Sequence, residues 1–126
     1  MLATLSRRSK NDESGAAAVE FAIVLPILLL LVFGIIEFGL LFNRFISVTH
    51  AAREGVRVAA LTGDMLAGET AGEQSAPDLV SPIDCTGDNW TVPGEVKMTC
   101  STPYAFALFI ITDPITLTSG AKMTSE

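Results

Sequence analysis

Histidine and cysteine, the side chains that most often bind metals or act as nucleophiles and bases, are scarce in this sequence. There is one histidine and there are two cysteines in 126 residues, and no Cys-x-x-Cys pair occurs. This composition argues against a zinc site. His50 has Ser47 one helical turn away but no aspartate nearby in sequence to orient it, so we expect a surface residue rather than a catalytic base. The sequence therefore predicts no catalytic residue, no metal and no cofactor.

Positive charge is scarce in the distal part of the chain. After Val58, Lys97 and Lys122 are the only basic residues, against nine carboxylates. Such an acidic segment argues against nucleic acid as a partner and against adhesion to anionic lipid. A chain of 126 residues also has room for only one small domain, which argues against a large enzyme.

One long apolar run dominates the rest. Residues Phe21–Ile36 carry no charge, and accepting Glu37 extends the run to Phe42, 22 residues in all. A helix of this length crosses a hydrocarbon core of about 30 Å, so the run predicts a membrane span in contact with lipid. Glu20 lies at its very start, where an isolated negative charge is costly and needs a partner. Pro26 predicts a kink or local unwinding within the span.

The residues around Glu20 form a specific motif. Gly15-x-x-x-x-Glu20-Phe21 follows a short basic leader and precedes the apolar helix, and it resembles a class III prepilin processing site. Longer stretches, about half of the chain in total, resemble the TadE-like minor pilins, or pseudopilins, of tight-adherence (Flp-type, type IVb/IVc) pili. These stretches are Gly15–Pro26, Phe33–Gly39, Ala51–Arg57 and Leu117–Met123.

The resemblance implies a processing step and a pairing step. A prepilin peptidase would cut after Gly15, with Glu20 and Phe21 as part of the processing site. Ala16 would become the new N-terminus, and its amine would pair with Glu20 of a neighbouring subunit, which fixes the axial offset between subunits. The implied partners are the peptidase, other pilin and pseudopilin subunits, and the inner-membrane assembly platform. The implied function is that of a structural component or assembly initiator of a pilus involved in surface attachment.

The orientation in the membrane follows from the resemblance and not from charge counting. Three basic residues precede the span and three follow it closely, so the positive-inside rule is nearly balanced. The resemblance implies a cytoplasmic leader, and the position of Cys85 and Cys100 in the distal part suits an oxidising periplasm. We therefore expect a single-pass protein of the bacterial inner membrane with a periplasmic C-terminal domain, which enters an extracellular pilus on assembly.

A second carboxylate, Glu37, lies near the other edge of the span, and two interpretations are open. In one it is simply an interfacial carboxylate outside the bilayer core. In the other it pairs with Arg44 of the same or an adjacent subunit. The two residues are seven apart and share a helix face, but a contact between them needs a snorkelling side chain or a partner helix.

The expected fold is α+β and pilin-like, with one long N-terminal transmembrane and amphipathic helix and a small distal antiparallel β-sheet domain. We divide the chain into a flexible, cleaved leader (1–15), the transmembrane half of the helix (16–42), its amphipathic periplasmic extension (43–62) and a loop-rich β domain (63–126). Gly63 is suited to end the helix.

The amphipathic extension has a predicted core face with apolar residues at helical spacing. These residues are Phe45, Val48, Ala52, Val56 and Ala59. On the other side, Glu54 and Arg57 are placed for an exposed i,i+3 ion pair.

The distal part reads as loops and strands. Gly63–Asn89 is rich in Gly, Ser, Pro, Thr and acids, which predicts a loop with at most one turn of helix around Met65–Ala67. Period-two alternation predicts a strand over Val96–Ser101. A second strand should start at Ile115 and continue past Gly120, which predicts a bulge or bend.

Two connections complete the expected domain. Tyr104–Ile111 predicts a short helix or irregular crossover between the strands. A sheet of two to four strands on the upper helix would allow a disulfide from Cys85, in the approach loop, to Cys100 in the strand. Closing a loop of this length contributes about 3 kcal/mol in the chain-entropy model.

Other export routes fit the sequence poorly. A Sec signal peptide is cut after its apolar region, and the nearest small-residue site, Val58-Ala59-Ala60, is too distal. Arg7-Arg8 is not followed by the apolar residues of a twin-arginine signal. The alternative to a processed pilin is an uncleaved single-span anchor that presents a small periplasmic binding or assembly-factor domain.

Overall fold

A computed structural model describes residues 8–76, 81–88, 94–106 and 113–124, with residues 8–14 described by their backbone alone. It confirms the α+β class. The elements are α1 (Arg8–Thr62), α2 (Met65–Gln74), β1 (Asp84–Asp88), β2 (Glu95–Tyr104) and β3 (Ile115–Thr124). The chain divides into two compact units, Met1–Ile36 and Glu37–Glu126.

Helix α1 begins earlier than predicted. It starts at Arg8, whereas a flexible leader was expected as far as Gly15, and it continues through Pro26. Asn, Asp, Ser and Gly each cost only about 0.5–1 kcal/mol in a helix interior, and no proline lies between Arg8 and Gly15 to block a backbone hydrogen bond. The helix can therefore extend into the leader. Residues 1–7 of the predicted leader lie outside the described part of the chain.

The first unit presents apolar side chains on every side of its helix. Between Val19 and Ile36, 13 large hydrophobic residues are 42–70% exposed. Within the described residues, one helix is long and apolar enough to cross a membrane, and it covers Gly15–Thr62. A helix that is apolar all round requires lipid or other helices around it.

In the second unit, α1 becomes one-sided. The predicted core residues Val48, Ala52, Val56 and Ala59 are buried, while Phe45 is 43% exposed, so its prediction as a core residue was wrong. The stripe continues from Val48 toward the N-terminus through the half-buried Arg44 and Leu41 to the buried Glu37, at spacings of four and three. Phe45 falls to one side of that stripe. The predicted Glu54–Arg57 pair is present, with Arg57 Nη2 2.6 Å from Glu54 Oε1.

The segment predicted as a loop contains a helix and a strand, α2 and β1. Asp64 caps α2, because its side chain accepts a hydrogen bond from the Leu66 N–H at 3.0 Å. Gly63, with φ of 69°, ends α1 and donates its N–H to the Ala59 carbonyl at 2.9 Å. Two capped ends only three residues apart produce a helical hairpin where composition alone predicted a loop.

Glycine and alanine allow α2 to approach α1 closely. A Cβ added to Gly68 would lie 2.6 Å from Ala59 Cβ and 2.6 Å from the Gly55 carbonyl oxygen. A Cβ added to Gly72 would lie 3.0 Å from the Ala51 carbonyl oxygen and 2.9 Å from Cys85 Sγ. Each glycine costs about 1 kcal/mol of helix propensity. The close contact offsets that cost, so tertiary packing determines α2 against its local preference.

The three strands form one antiparallel sheet in the order β1-β2-β3. The predicted alternation in β2 is confirmed, with Val96, Met98 and Cys100 buried and their neighbours at least partly exposed. In β3 the expected bulge is absent, because Gly120 pairs in unbroken register with Thr99.

Helix α1 covers the inner face of the sheet. Thr49 Oγ1 donates to Ser119 Oγ at 3.1 Å, which ties α1 to β3. Buried residues of α1, β1 and β2 form one core cluster. The predicted crossover Tyr104–Ile111 is corrected at its start, since Tyr104 closes β2, and its residues 107–111 lie outside the described part.

Cys85 was placed in a loop by sequence analysis, but it lies in β1 directly opposite Cys100 of β2. A disulfide joins the two residues across 15 positions of sequence. Both cysteines are buried beside Gly72 and the core cluster. The bond thereby holds the short edge strand β1 against the central strand.

We predict that Gly68→Ala destabilises the second unit by about 1–3 kcal/mol, because the added methyl overpacks the contact with Ala59. Denaturant unfolding of the full chain in detergent measures the change. Gly120→Ala is the matched control, since its Cβ would meet its nearest neighbours at an ordinary 3.6 Å. Equal unfolding midpoints for the two variants would contradict the close-packing explanation.

Replacing Cys85 and Cys100 together by serine is expected to lower the free energy of unfolding by about 3 kcal/mol, the chain-entropy value for a loop of 15 residues. The same unfolding assay, run on the oxidised and reduced wild-type chain, provides the control. Reduction should reproduce the effect of the double variant. An unchanged midpoint on reduction would show that the bond does not stabilise the native state.

Candidate functional site

The four residues of the predicted processing motif lie on α1 and are all exposed. Gly15, Ala16, Glu20 and Phe21 have no burial against any described part of the chain. Ala16 and Glu20 are four residues apart and so lie on one helix face, one turn from each other. Their side chains are therefore open to a partner protein. The pairing of Ala16 with Glu20 between subunits stays a prediction.

The Gly15–Ala16 peptide bond lies inside a helix. An added Cβ at Gly15 would meet nothing within 4 Å, so the surroundings of this bond are open. Its backbone amide and carbonyl groups are nevertheless part of α1. A protease that binds an extended substrate must first unwind this turn, and a glycine, the weakest helix former after proline, lowers the cost of doing so.

The two residues of the second predicted pair, Glu37 and Arg44, both contact Tyr104, which was not among the predicted site residues. Glu37 is 8% exposed and Tyr104 is 4% exposed. The Tyr104 hydroxyl donates a hydrogen bond to Glu37 Oε1 at 2.8 Å and lies 3.5 Å from the Glu37 carbonyl oxygen. The end of β2 is thus joined to the turn of α1 that begins the second unit.

Arg44 lies on the other side of the same aromatic ring. Its guanidinium carbon is 5.3 Å from the centroid of the Tyr104 ring, within the range of a cation–π interaction. Phe106 packs edge-on against the ring, with centroids 5.2 Å apart. Tyr104 therefore holds a carboxylate with its hydroxyl and a guanidinium with its face. We call Glu37, Arg44 and Tyr104 the tyrosine clasp.

The clasp changes the acidity of Tyr104. Burial raises the pKa of the phenol above its usual value near 10, and the hydrogen bond to Glu37 raises the pKa further. The Arg44 charge acts in the opposite direction. The neutral phenol is thus the form that the folded protein favours.

Tyr104 could have been found by extending the alternation of β2. The buried positions Val96, Met98 and Cys100 continue at the same period to Thr102 and Tyr104. The predicted strand ended at Ser101, before Pro103, because proline interrupts a sheet ladder. In the structure β1 ends its pairing at Ser101, so Pro103 lies where β2 has only β3 as a partner, and the missing N–H is tolerated there.

The remaining candidates do not form a catalytic or metal-binding arrangement in the described residues. His50 is exposed on α1, in agreement with its predicted surface position. Within residues 8–76, 81–88, 94–106 and 113–124, no group of three or more His, Cys, Asp or Glu side chains could hold a metal ion.

Comparison with known families finds a match in the N-terminal part of the chain. Residues 15–57 match the family described as TadE-like protein, which confirms the resemblance over 43 of the 126 residues. The matched segment begins at the glycine of the processing motif and ends at Arg57, and it includes Glu20, Glu37 and Arg44. No curated protein and no solved structure matches the chain.

We predict that Tyr104 titrates above the pH range of an exposed tyrosine and that Glu37→Gln lowers its pKa without restoring the ordinary value, because burial persists. Tyr104 is the single tyrosine of the sequence, so the phenolate absorbance of the full chain reports on it alone. Since the folded pKa is raised, the associated stability is complete below a pH of about 10 and is lost as the pH rises through the folded pKa.

The matched control is Glu54→Gln, which removes a carboxylate whose charged partner is Arg57. It should leave the Tyr104 titration unchanged. A tyrosine that titrates like a free one in the wild-type chain, or an equal response to both variants, would contradict the hydrogen bond between Tyr104 and Glu37.

Proposed function

We propose that this chain, whose residues 15–57 form a TadE-like segment, is a minor pilin or pseudopilin of a tight-adherence pilus. It is processed after Gly15 and acts as a structural component or assembly initiator of the pilus. The observation that carries this proposal is the coincidence of the family match, which begins at the processing motif, with a helical segment that is apolar on every side from Val19 onward.

The exposed apolar surface suits both environments of a pilin. From Val19 to Ile36 the helix offers the same kind of side chain in every direction. Lipid tails and neighbouring apolar helices are similar solvents for such a surface, so transfer from one to the other has a small cost. A soluble protein would leave this surface unsatisfied in water. The helix is therefore the assembly core, and membrane association is its state before assembly.

The charge at Glu20 supplies the geometry of assembly. Cleavage after Gly15 creates an ammonium group at Ala16, one turn from the Glu20 carboxylate of the same helix. Both charges are costly in an apolar bundle and become tolerable when each finds an opposite charge on a neighbour. The family match contains both residues, and their exposure leaves them free to meet another chain. The pair specifies an axial offset between subunits.

The tyrosine clasp suggests where the hydrocarbon layer ends. Glu37 is buried under Tyr104, a residue of the sheet, so this turn of α1 is covered by protein. Residues 16–36 of the processed chain lie before this cover, and 21 residues extend about 31 Å as a helix, which matches a core of about 30 Å. Phe38, Leu40 and Phe42, on the uncovered sides, are still 53–62% exposed and continue the apolar surface past Glu37.

The partners and location follow from this role. Before processing, the chain would bind a prepilin peptidase; after processing, it would interact with other pilin and pseudopilin subunits and with the inner-membrane assembly platform. The leader of the unprocessed chain would be cytoplasmic and the disulfide-bonded unit periplasmic, which agrees with the oxidised Cys85–Cys100 pair.

A second candidate function is an uncleaved single-span anchor that presents a small periplasmic binding or assembly-factor domain. The observation that favours it is the continuous helix from Arg8 through Gly15, since helical peptide bonds resist proteolysis until they unwind. The two functions differ in the N-terminus of the mature protein.

Intact-mass measurement of the chain extracted from membranes of a host with a prepilin peptidase separates the two candidates. We expect a mature form that begins at Ala16, and a lost processing step when the peptidase gene is absent. A chain that keeps Met1 in the complete host would favour the anchor. A form that begins after Phe42 would contradict both.

Glu20→Ala is predicted to leave leader removal intact but to lower incorporation into pili by about tenfold or more, because the Ala16 amine loses its partner in an apolar bundle. Immunoblots of membranes and of sheared pili measure the two quantities. Glu54→Ala removes an exposed carboxylate from the amphipathic half and is the matched control. Normal incorporation of the Glu20→Ala chain would overturn the pairing role.

A further inference from the structure

The basic residues of the second unit are concentrated on one side. This unit contains five of them, against 11 carboxylates in residues 37–126. Three of the five, Arg53, Arg57 and Lys122, line one open groove of about 700 Å³ between α1 and β3. His50 lines it as well, as does one carboxylate, Glu54, which is the ion-pair partner of Arg57. An acidic unit thus carries a cationic groove, which we call the basic edge.

The basic edge lies along a strand with an open side. β3 pairs with β2 and, within the described residues, with no other strand. Arg53 has no ion-pair partner in the described part of the chain. Lys122 contacts Glu95 at 3.0 Å, yet its side chain is 74% exposed. Positive charge is therefore available to a partner at this edge.

The opposite side of the sheet has the opposite charge. β1 is the other outer strand, and α2 borders β1 and not β3. These two elements carry four carboxylates and the N-cap of α2 adds a fifth, and we call the five residues the acidic edge. They are Asp64, Glu69, Glu73, Asp84 and Asp88. Asp88 contacts Lys97 at 3.3 Å, whereas Glu73 and Asp84 have no ion-pair partner in the parts of the chain that the structure describes.

The charges on both edges are arranged in two matching tiers. Asp84 and Asp88 lie on the face of β1 opposite to the buried Cys85, and Lys122 lies on the face of β3 opposite to Ala121, which packs on the core. The second tier comes from helices on the inner side of the sheet. It consists of Glu69 and Glu73 of α2 on the acidic edge and of Arg53 and Arg57 of α1 on the basic edge.

We propose that the basic edge of one copy docks the acidic edge of a second copy of this chain. β1 and β3 are both antiparallel to β2 and therefore run parallel to each other. A second copy displaced sideways along the sheet consequently presents β1 beside β3 with both tiers opposed in charge. The contact is heterologous, since different surfaces of the two copies meet, and it leaves a free edge at each end for further copies.

This inference deepens the proposed function, because it names a contact between the distal units of assembling subunits. Its test does not depend on that function, since the uncleaved chain has both edges. The charged contact also predicts weaker association at high salt.

Chemical cross-linking of the full chain in detergent micelles tests the contact directly. Unlabelled and nitrogen-15-labelled copies are mixed, treated with a carbodiimide that joins carboxylates to lysine amines, and digested. We expect mixed-isotope peptides that join Lys122 to Asp84 or Asp88. The pairs Lys122–Glu95 and Lys97–Asp88 exist within one chain and serve as internal controls for reactivity. If the control pairs react but no mixed-isotope link joins Lys122 to the acidic edge, the proposal is overturned.

Charge reversal identifies the interacting edges without changing the apolar helix. Arg53→Glu and Glu73→Arg each remove one charge that has no ion-pair partner among the described residues, so neither should unfold the unit. Each single variant is expected to weaken self-association about three- to tenfold, measured by sedimentation velocity in detergent. The double variant, which reverses both edges in every copy, should return to within about twofold of the wild type.

A mixture of the two single variants provides the decisive comparison. The reversed basic edge of the Arg53→Glu chain can meet the reversed acidic edge of the Glu73→Arg chain, so mixed-isotope links should reappear between the two species. Single variants that associate like the wild type would overturn the proposal. A double variant weaker than either single variant would do the same. Background association through the apolar helix is common to all variants, since none changes a residue before Glu37.

Discussion

Helix α1 needs lipid or other helices around its first part and protein cover on its second part, and the rest of the structure follows from that constraint. Before Glu37, α1 is apolar in every direction and needs lipid or other helices. After Glu37, the sheet and α2 cover one side of the helix, while Phe38, Leu40 and Phe42 on the other sides are still 53–62% exposed. The change occurs at a buried carboxylate. Glu37 thus marks the beginning of protein cover on one side of α1.

The tyrosine clasp makes this transition stable. Glu37 would be costly in hydrocarbon and is costly under protein without a donor. Tyr104 supplies the donor from the last residue of β2, and Arg44 covers the face of its ring. A residue that is remote in sequence thereby fixes the end of the sheet to the helix.

Small residues allow a small domain to cover one side of α1. Among the described residues, the core of the second unit contains few large side chains, and it gains contact by bringing backbones close together. Ala51, Gly55 and Ala59 of α1 face Gly68 and Gly72 of α2 at spacings of four. The disulfide then holds β1 behind this layer.

Sequence patterns predicted the parts of the fold that depend on hydrophobicity alone. The long apolar helix, its amphipathic half and the alternation of β2 are all visible as periodic patterns, and the structure contains each of them. α2 was not visible because Gly68 and Gly72 weaken local helix propensity, and their value lies in contacts with α1 that no local window contains.

The candidate site, too, could be predicted from the sequence only in part. Exposure of the processing motif follows from its position on an uncovered helix, but Tyr104, which contacts Glu37, lies 67 residues away and follows a proline, a residue that commonly interrupts a strand. The alternating burial of β2 continues past Pro103, where, among the described strands, β2 pairs with β3 and no longer with β1. Only the three-dimensional pairing of the strands gives that information.

The position of the disulfide makes the attachment of β1 depend on the redox state of the compartment. β1 is five residues long, and the bond to Cys100 ties it to the sheet at its second residue. In a reducing environment this strand, with Asp84 and Asp88, would be held by its backbone pairing and by α2 alone. A reduced chain would therefore lack a firmly formed negative border. Oxidation would then act as a checkpoint that couples this border to the redox state of the surroundings.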